Sequence, residues 1–243
     1  VNDAGSDCAH SISVIVPVYN EACCIDQLLH NLNPLKNQCE IVFVDSGSTD
    51  NTADQISEWS SRCYFHSPDK GRANQMNYGA SVSHGSILWF LHADSIPPPD
   101  ALSKIQEVIS KGYSYGCFRL KFDSMHPLMF YMAFMSNIRV KTRKIAFGDQ
   151  GIFIKRMLFD QLGGYAPIPL MEDYKLSMDV KRAGYALRIA DGTITTSERR
   201  FSSGGHFRTM MMMQSLQRKF RKGDNIEEIA RCYSNHKEKD GKI

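Results

Sequence analysis

The sequence predicts an α/β fold, a central and mostly parallel sheet flanked by helices. Three observations carry that expectation. Ile12–Val18 (ISVIVPV), Glu40–Asp45 (EIVFVD) and Ser86–Leu91 (SILWFL) are short runs, apolar at nearly every position, as strands buried on both faces are. Stretches with helical spacing separate them. Each interval is long enough for a right-handed crossover helix between parallel strands.

The elements follow in order. Residues 1–10 are polar and read as a frayed terminus. Asn20 is placed to cap a helix whose apolar positions are Ala22, Ile25, Leu28, Leu29 and Leu32. Ser46–Thr49 is a turn ahead of a helix from about Asp50 to Ser60, and Cys63–His66 is a third short strand. Gly71–Ser83 is helical, with Ala73, Met76, Asn77 and Ala80 on one side. After the Ser86–Leu91 strand, prolines 97–99 open a helix reaching about Ile109.

In the second half the spacing predicts a strand at Tyr115–Phe122 and a helix over Pro127–Val140 that ends among cations. A strand at Gly151–Ile154 leads to a short helix at Arg156–Leu162, which Gly163-Gly164 stops. A helix over Asp173–Ala183 precedes strands near Leu187–Ala190 and Thr193–Ser197. His206–Lys222 and Asn225–Tyr233 read as basic helices.

Composition narrows the function. Among 243 residues, 42% are hydrophobic and 23% charged, ordinary for a chain with a sizeable core. The net charge of +3 is too mild for a nucleic-acid binder. The longest apolar run, Pro127–Ile138, falls well short of the roughly 20 residues that span a bilayer. No secretory h-region and cleavage site stand at the N-terminus, and the 7 Cys include no Cys-x-x-Cys pair. The expected compartment is the reducing cytoplasm.

In parallel α/β sheets ligands sit at the carboxyl ends of the strands. Those ends carry Tyr19-Asn20-Glu21, Asp45-Ser46, Ser67–Arg72 and His92–Ser95. The first turn, PVYNEA, has no glycine, which disfavours both a dinucleotide fingerprint and a P-loop. His92-Ala93-Asp94 is the leading candidate for chemistry, since residues i and i+2 of a strand share a face. Asp94 there either holds a divalent cation that neutralises a diphosphate or is a turn residue before the prolines. Lys70-Gly71-Arg72 is either an anion site at a helix start or a solvated turn. Asp45 either accepts from a ribose or base or caps its own turn. Glu172-Asp173 opens a helix, where the dipole alone favours acids.

The run SVIVPVYNEA, then EIVFVDSGSTDNT, KGRANQMNYGA, FLHAD, GDQGIF and PLMEDYKLS, resembles family-2 glycosyltransferases of the GT-A fold. It is most similar to a bacterial subgroup labelled arsenosugar-biosynthesis or selenodomain-associated glycosyltransferases. The resemblance runs from about Ile12 to Tyr233 and implies one domain over 1–234. Residues 12–110 would be the nucleotide-sugar half, 111–204 the acceptor and catalytic half, and 205–234 a helical extension, with a disordered tail over 235–243. It further implies an inverting hexosyl transfer from a nucleotide-diphosphate sugar such as a UDP-sugar to an unknown acceptor hydroxyl, with Mn²⁺ or Mg²⁺ as cofactor.

By the same resemblance Pro17, Tyr19, Glu21 and Asp45 line the base and ribose. Lys70 and Arg72 lie near ribose and phosphates, as do His92 and Ala93, and Asp94 binds the metal. The family pattern at this point is Asp-x-Asp, so His92 is a departure that weakens the ribose contact; imidazole suits Mn²⁺ better than Mg²⁺. Gly148, Asp149 and Gln150 would wall the donor and acceptor, Asp173 would be the general base, and Glu172 would position substrate. The segment Gln217–Phe220 does not satisfy the Gln-x-x-Arg-Trp of processive members, which favours single-sugar transfer.

Two other classes are weighed. A sugar nucleotidyltransferase would carry a glycine-rich basic loop where PVYNEA stands, and a non-catalytic nucleotide-sugar-binding module would lack the distal acids. For the four consecutive Met in His206–Lys222, core packing is favoured over membrane contact, leaving at most a weak peripheral contact at the inner membrane face through this helix.

Overall fold

The computed structural model describes residues 11–60, 64–67 and 69–240, without the side chains of 200 and 235–240. Its strands are β1 (Ile12–Val18), β2 (Glu40–Asp45), β3 (Tyr64–His66), β4 (Ile87–Phe90), β5 (Ser95–Ile96), β6 (Tyr115–Phe122), β7 (Phe153–Lys155) and β8 (Leu187–Thr196). They form one sheet in the order β3-β2-β1-β4-β7-β6-β8-β5. Parallel pairing joins β3, β2, β1 and β4, and again β6 and β8, while β7 and β5 pair antiparallel. The expected mostly parallel, mixed α/β sheet is the observed one.

The helices are α1 (Ile25–Leu32), α2 (Thr52–Ser60), α3 (Arg72–Val82), α4 (Ala101–Ser110), α5 (Pro127–Arg143), α6 (Arg156–Gln161), α7 (Glu172–Arg182), α8 (Arg199–Gly204), α9 (His206–Lys222) and α10 (Ile226–Asp240). Strand alternation sorts the core into two layers. Val14, Val16 and Val18 face a cluster with Leu28 and Leu32 of α1 and Ile105 of α4. Ile15, Val42 and Val44 face Met76 and Ala80 of α3, with Leu176 of α7 in the same layer. Covering on both faces is why β1 and β2 lack a polar alternation.

A third cluster, Ile145, Leu170, Met171, Tyr174, Leu216 and Ile229, seats α9 and α10 against the start of α7. Met210 is buried, Met212 and Met213 pack on that cluster, and Met211 is half exposed. The Met run therefore serves chiefly as core.

Several expectations need correction. Asn20 does not cap a helix: α1 begins at Ile25, and Asn20 sits at φ 54° with its Oδ1 accepting from the Thr49 N–H at 2.8 Å. Ser95–Ile96 is a strand that no periodicity could announce, since it is two residues long and pairs with Thr195 and Thr196. The two strands expected around Asp191-Gly192 are one, β8. The turn signal marks a register shift, where Cys117 pairs with Ile189 but Arg119 with Thr193. α10 continues to Asp240, so the tail expected to be disordered from 235 is helical that far. Residues 1–10, Cys63 and the last three residues, on which other expectations fell, lie outside the described residues.

Candidate active site

Strand register brings the suspected residues together. Val18 lies opposite Asp45 and Asp45 opposite His66, so β1 to β3 end level, while Phe90 pairs with Ile15 and the chain after β4 runs on along the end of β1. Buried Gln75 of α3 ties two of these ends, donating from Nε2 to the carbonyls of Val18 (2.7 Å) and Val44 (2.8 Å). Gly79, a turn further along, lets α3 approach: a Cβ there would overlap Ile15 Cγ2. Gln75 was not singled out from sequence, because a polar residue inside a helix does not reveal that it faces two carbonyls.

Two of the nucleoside-side candidates, Asp45 and Glu21, have partners within the protein. Asp45 accepts from the Ser48 hydroxyl at 2.6 Å and the Tyr64 hydroxyl at 2.9 Å, so it caps its own turn. Burial, with the Asp45 contact added, pushes the Tyr64 phenol up to about 12. Glu21 accepts from Arg199 Nη2 at 2.8 Å and from the Cys24 thiol at 3.0 Å. Burial first, then Glu21, raises the Cys24 pKa and keeps it a thiol. Tyr19 is exposed, Pro17 is buried, and Lys70 is exposed just before α3.

His92-Ala93-Asp94 lies in a turn after β4 and not on the strand itself, with the Ser95 N–H donating to the His92 carbonyl at 3.1 Å. The same-face argument for residues i and i+2 therefore fails there. Instead, Asp94 lines a cavity of about 270 Å³. Ala93, Asp123 after β6, Ser197 and Arg199 share its walls with Cys23 and Cys24. Two carboxylates, hard oxygen donors, on the wall of one cavity fit Mn²⁺ or Mg²⁺ better than thiols would. Among the described residues, the group of three potential metal ligands within 4.8 Å of one another is Glu21, Cys23 and Cys24, but Arg199 spans it by bonding Glu21 and Cys23. Asp123 was missed, although its place directly after the Tyr115–Phe122 strand is the same signal that drew attention to Asp45.

The acid pair is where chain-distant groups meet. Met171, in the left-handed region at φ 67°, turns the chain into α7, and Glu172 and Asp173 follow, both buried. A bulky residue at positive φ is a strained conformation held by its surroundings. Glu172 accepts from Arg72 Nε at 2.5 Å across 100 residues of sequence. Asp173 Oδ2 accepts the Gly148 N–H at 2.6 Å, and Asp173 Oδ1 has no hydrogen-bond partner among the described residues. A Cβ on Gly148 would overlap the His92 imidazole and come within 3.0 Å of Asp173 Oδ2, so Gly148 is wedged between them.

Electrostatics separates the two acids. Burial and the neighbouring Asp173 push Glu172 above the usual carboxylate range against the pull of Arg72. Burial pushes Asp173 the same way, but Arg72, His92 and the Gly148 N–H outweigh it and hold its carboxyl below that range. Arg72, desolvated, stays protonated because both carboxylates face it. Two acids driven apart by their surroundings are the signature of divided acid–base roles. Gln150, expected on the ligand wall, is fully buried and instead accepts from Arg139 Nη2 at 3.1 Å. Asp149, its neighbour, is half-buried near Arg139, whose charge it favours against burial.

The family model described as glycosyl transferase family 2 matches residues 13–163. The chain belongs to this family. It is 27% identical over 208 residues to the "Probable glycosyltransferase YdaM" of Bacillus subtilis (strain 168), a match covering 76% of this chain and 50% of that one. It is 28% identical over 143 residues to a dolichol-phosphate mannosyltransferase of Pyrococcus furiosus, over 56% of this chain and 41% of the relative. The chain thus spans about half the length of these curated relatives or less.

Solved structures share the fold. The mannosyltransferase PcManGT from Pyrobaculum calidifontis, in complex with GDP-Man and Mn²⁺, superposes with a TM-score of 0.60 at 24% identity, covering 76% of this chain and 56% of that one. S. aureus TarS 1-349, in complex with UDP-GlcNAc, gives 0.62 at 16% identity, over 77% and 58%. The architecture is the GT-A fold. His92, Gly148 and Asp173 meet at the carboxyl ends of its strands.

Proposed function

We propose that the protein is a metal-dependent, inverting glycosyltransferase that moves one sugar from a nucleotide-diphosphate sugar to an acceptor hydroxyl. The observation that carries this reading is Asp173: a buried acid, its carboxyl held below the usual range, with one oxygen bonded to the Gly148 N–H and the other without a hydrogen-bond partner among the described residues. Inverting displacement needs a base opposite the leaving diphosphate. Asp173 comes from a segment remote in sequence from Asp94, and its ionised form is the competent one.

In this reading Pro17, Tyr19, Glu21 and Asp45 surround the nucleoside. Lys70 and Arg72 face the phosphates, Arg72 with guanidinium N–H groups beyond the one given to Glu172. Asp94, with Asp123 on the wall of the same cavity, would hold the divalent metal, which supplies charge neutralisation on the leaving diphosphate when bound. His92 stands across Gly148 from Asp173, and its charge favours the ionised base. The sugar and acceptor would meet beside Gly148 and Asp149. The complexes of the neighbours make UDP and GDP the donor nucleotides to test first.

Placement in the arsenosugar or selenodomain-associated subgroup rests on the six motifs. The cytoplasm fits the free thiols Cys23, Cys24, Cys39, Cys117 and Cys232. No helix among the described residues is long and apolar enough to cross a membrane. A weak peripheral contact at the inner membrane face through α9 belongs to this reading.

The test is a pair of variants. Asp173→Asn should lose roughly 10²–10⁴-fold in transfer rate while donor affinity stays within a few fold. Asp94→Ala should abolish Mn²⁺-dependent stabilisation by UDP or GDP in a thermal-shift assay. Near-normal turnover in Asp173→Asn with loss in Glu172→Gln would assign the base to the other acid. Metal-dependent nucleotide affinity unchanged in Asp94→Ala would remove the metal role.

A further inference from the structure

We infer that the outer face made by α5 and α9 docks on an anionic lipid bilayer. Exposed large apolar side chains concentrate there: Phe130, Tyr131, Phe134 and Met135 on α5, and Phe207 and Met211 on α9. Phe134 is 62% exposed and Phe207 66%. On α5 the pairs Phe130/Phe134 and Tyr131/Met135 stand four residues apart, and on α9 so do Phe207/Met211, so each set forms one helical stripe. The two stripes are neighbours. His126 and His206, at the two helix starts, stack at a ring separation of 4.0 Å, and further along Ile145, just beyond α5, and Leu216 of α9 belong to one buried cluster. The helices run side by side in the same sense.

Charge singles out this face as well. The chain as a whole is nearly balanced, with 29 basic and 26 acidic residues. Yet neither α5 nor α9 contains an Asp or Glu. Both end in exposed cations: Lys141, Arg143 and the adjoining Lys144 on one, Arg218, Arg221 and Lys222 on the other. Aromatic residues beside basic ones, without acids, form the profile of an interfacial surface that inserts rings at the headgroup level and attracts anionic lipid. Scattered apolar residues need no explanation, but a contiguous apolar and basic face does.

The proposal enlarges the weak peripheral contact of the preceding reading, does not depend on the chemistry at Asp173, and is tested on the full chain. Vesicles of phosphatidylcholine with phosphatidylglycerol should carry the protein down in co-sedimentation, vesicles of phosphatidylcholine alone much less, and added salt should release it. Phe134→Ser with Phe207→Ser should weaken the partition at least tenfold. Lys141→Ala with Lys222→Ala should weaken it about fivefold per residue. All four side chains are exposed, so melting temperature should not move. Asp173→Asn should bind vesicles like the unaltered chain, which separates this proposal from the catalytic one. The inference is overturned by equal partition onto both vesicle types, by no partition at all, or by variants that bind unchanged. A dimer in sedimentation equilibrium that Phe134→Ser with Phe207→Ser disperses would make the face a self-association surface instead.

Discussion

Replacing Gly148 by alanine tests the site where three remote segments touch. Gly148 has no positive φ, so the backbone itself would accept alanine. What opposes the change is space: the new methyl would overlap the His92 ring and lie 3.0 Å from Asp173 Oδ2. Neither neighbour yields easily, because His92 follows a buried strand and Asp173 opens a helix whose first turn is buried. Overpacking of one methyl typically costs about 1–3 kcal/mol. At this chain length about 2–4 °C of melting temperature goes with each kcal/mol, so a fall of roughly 2–12 °C is expected by circular dichroism. The functional loss should be larger in proportion. Displacing Asp173 from the 2.6 Å bond to the Gly148 N–H moves the proposed base, and a misplacement near 1 Å costs about 10²-fold in rate. The assay is turnover of UDP- and GDP-sugars, by transfer or hydrolysis, beside nucleotide affinity, which should stay within a few fold. Normal turnover with an unmoved melting temperature would refute the wedged arrangement.

Two further outcomes follow from the same geometry. Asp173 has its pKa lowered in the fold, so its charge contributes stability above about 3.9, the unfolded value, and that contribution is lost as pH falls through the lower folded value. The acid limb of activity should therefore lie below the ordinary aspartate range, and in Arg72→Gln it should move up by about 1–3 pH units; a pH–rate profile with an unmoved limb would remove Arg72 from the control of the base. Glu172, raised in the fold, works in the opposite sense, stabilising below about 4.3 and losing that contribution as pH rises through its folded value. Gln75→Leu would leave the Val18 and Val44 carbonyls without their donor. At about 1–3 kcal/mol per orphaned group its melting temperature should drop well beyond 4 °C; a drop under 1 °C would show that the strand ends do not depend on it.

Local patterns made much of the fold legible. Continuous apolar runs identified β1, β2 and β4, and Tyr115–Phe122, where exposed Arg119 and Lys121 alternate with buried residues, matched β6 to the residue. The helix at His206–Lys222 was equally clear, since Gly205 and Gly223 punctuate it. Misses share a cause. Ser95–Ile96 is a strand only because Thr195 and Thr196 arrive beside it, and Asp191-Gly192 reads as a break until β6 shows it to be a bulge. Asn20 has the chemistry of a helix cap but finds Thr49, 29 residues away, first.

The site divides the same way. Residue types and position alone drew attention to His92, Asp94, Arg72, Glu172 and Asp173, because strand ends and helix starts are where an α/β sheet places ligands, whereas Gly148 came only from the family resemblance. Their partnership was not in the sequence. That Arg72 bonds Glu172, that Gly148 holds Asp173, and that Gln150 turns inward to Arg139 depend on segments brought together by burial of two core layers. Asp123 and Arg199 likewise reach the cavity beside Asp94 only through the packing of the second half. Sequence determines which groups can do chemistry and which backbone element carries each, since both are local properties of a few residues. Tertiary structure alone decides which acid is ionised, because its pKa is set by burial and by charges that approach through space from elsewhere along the chain.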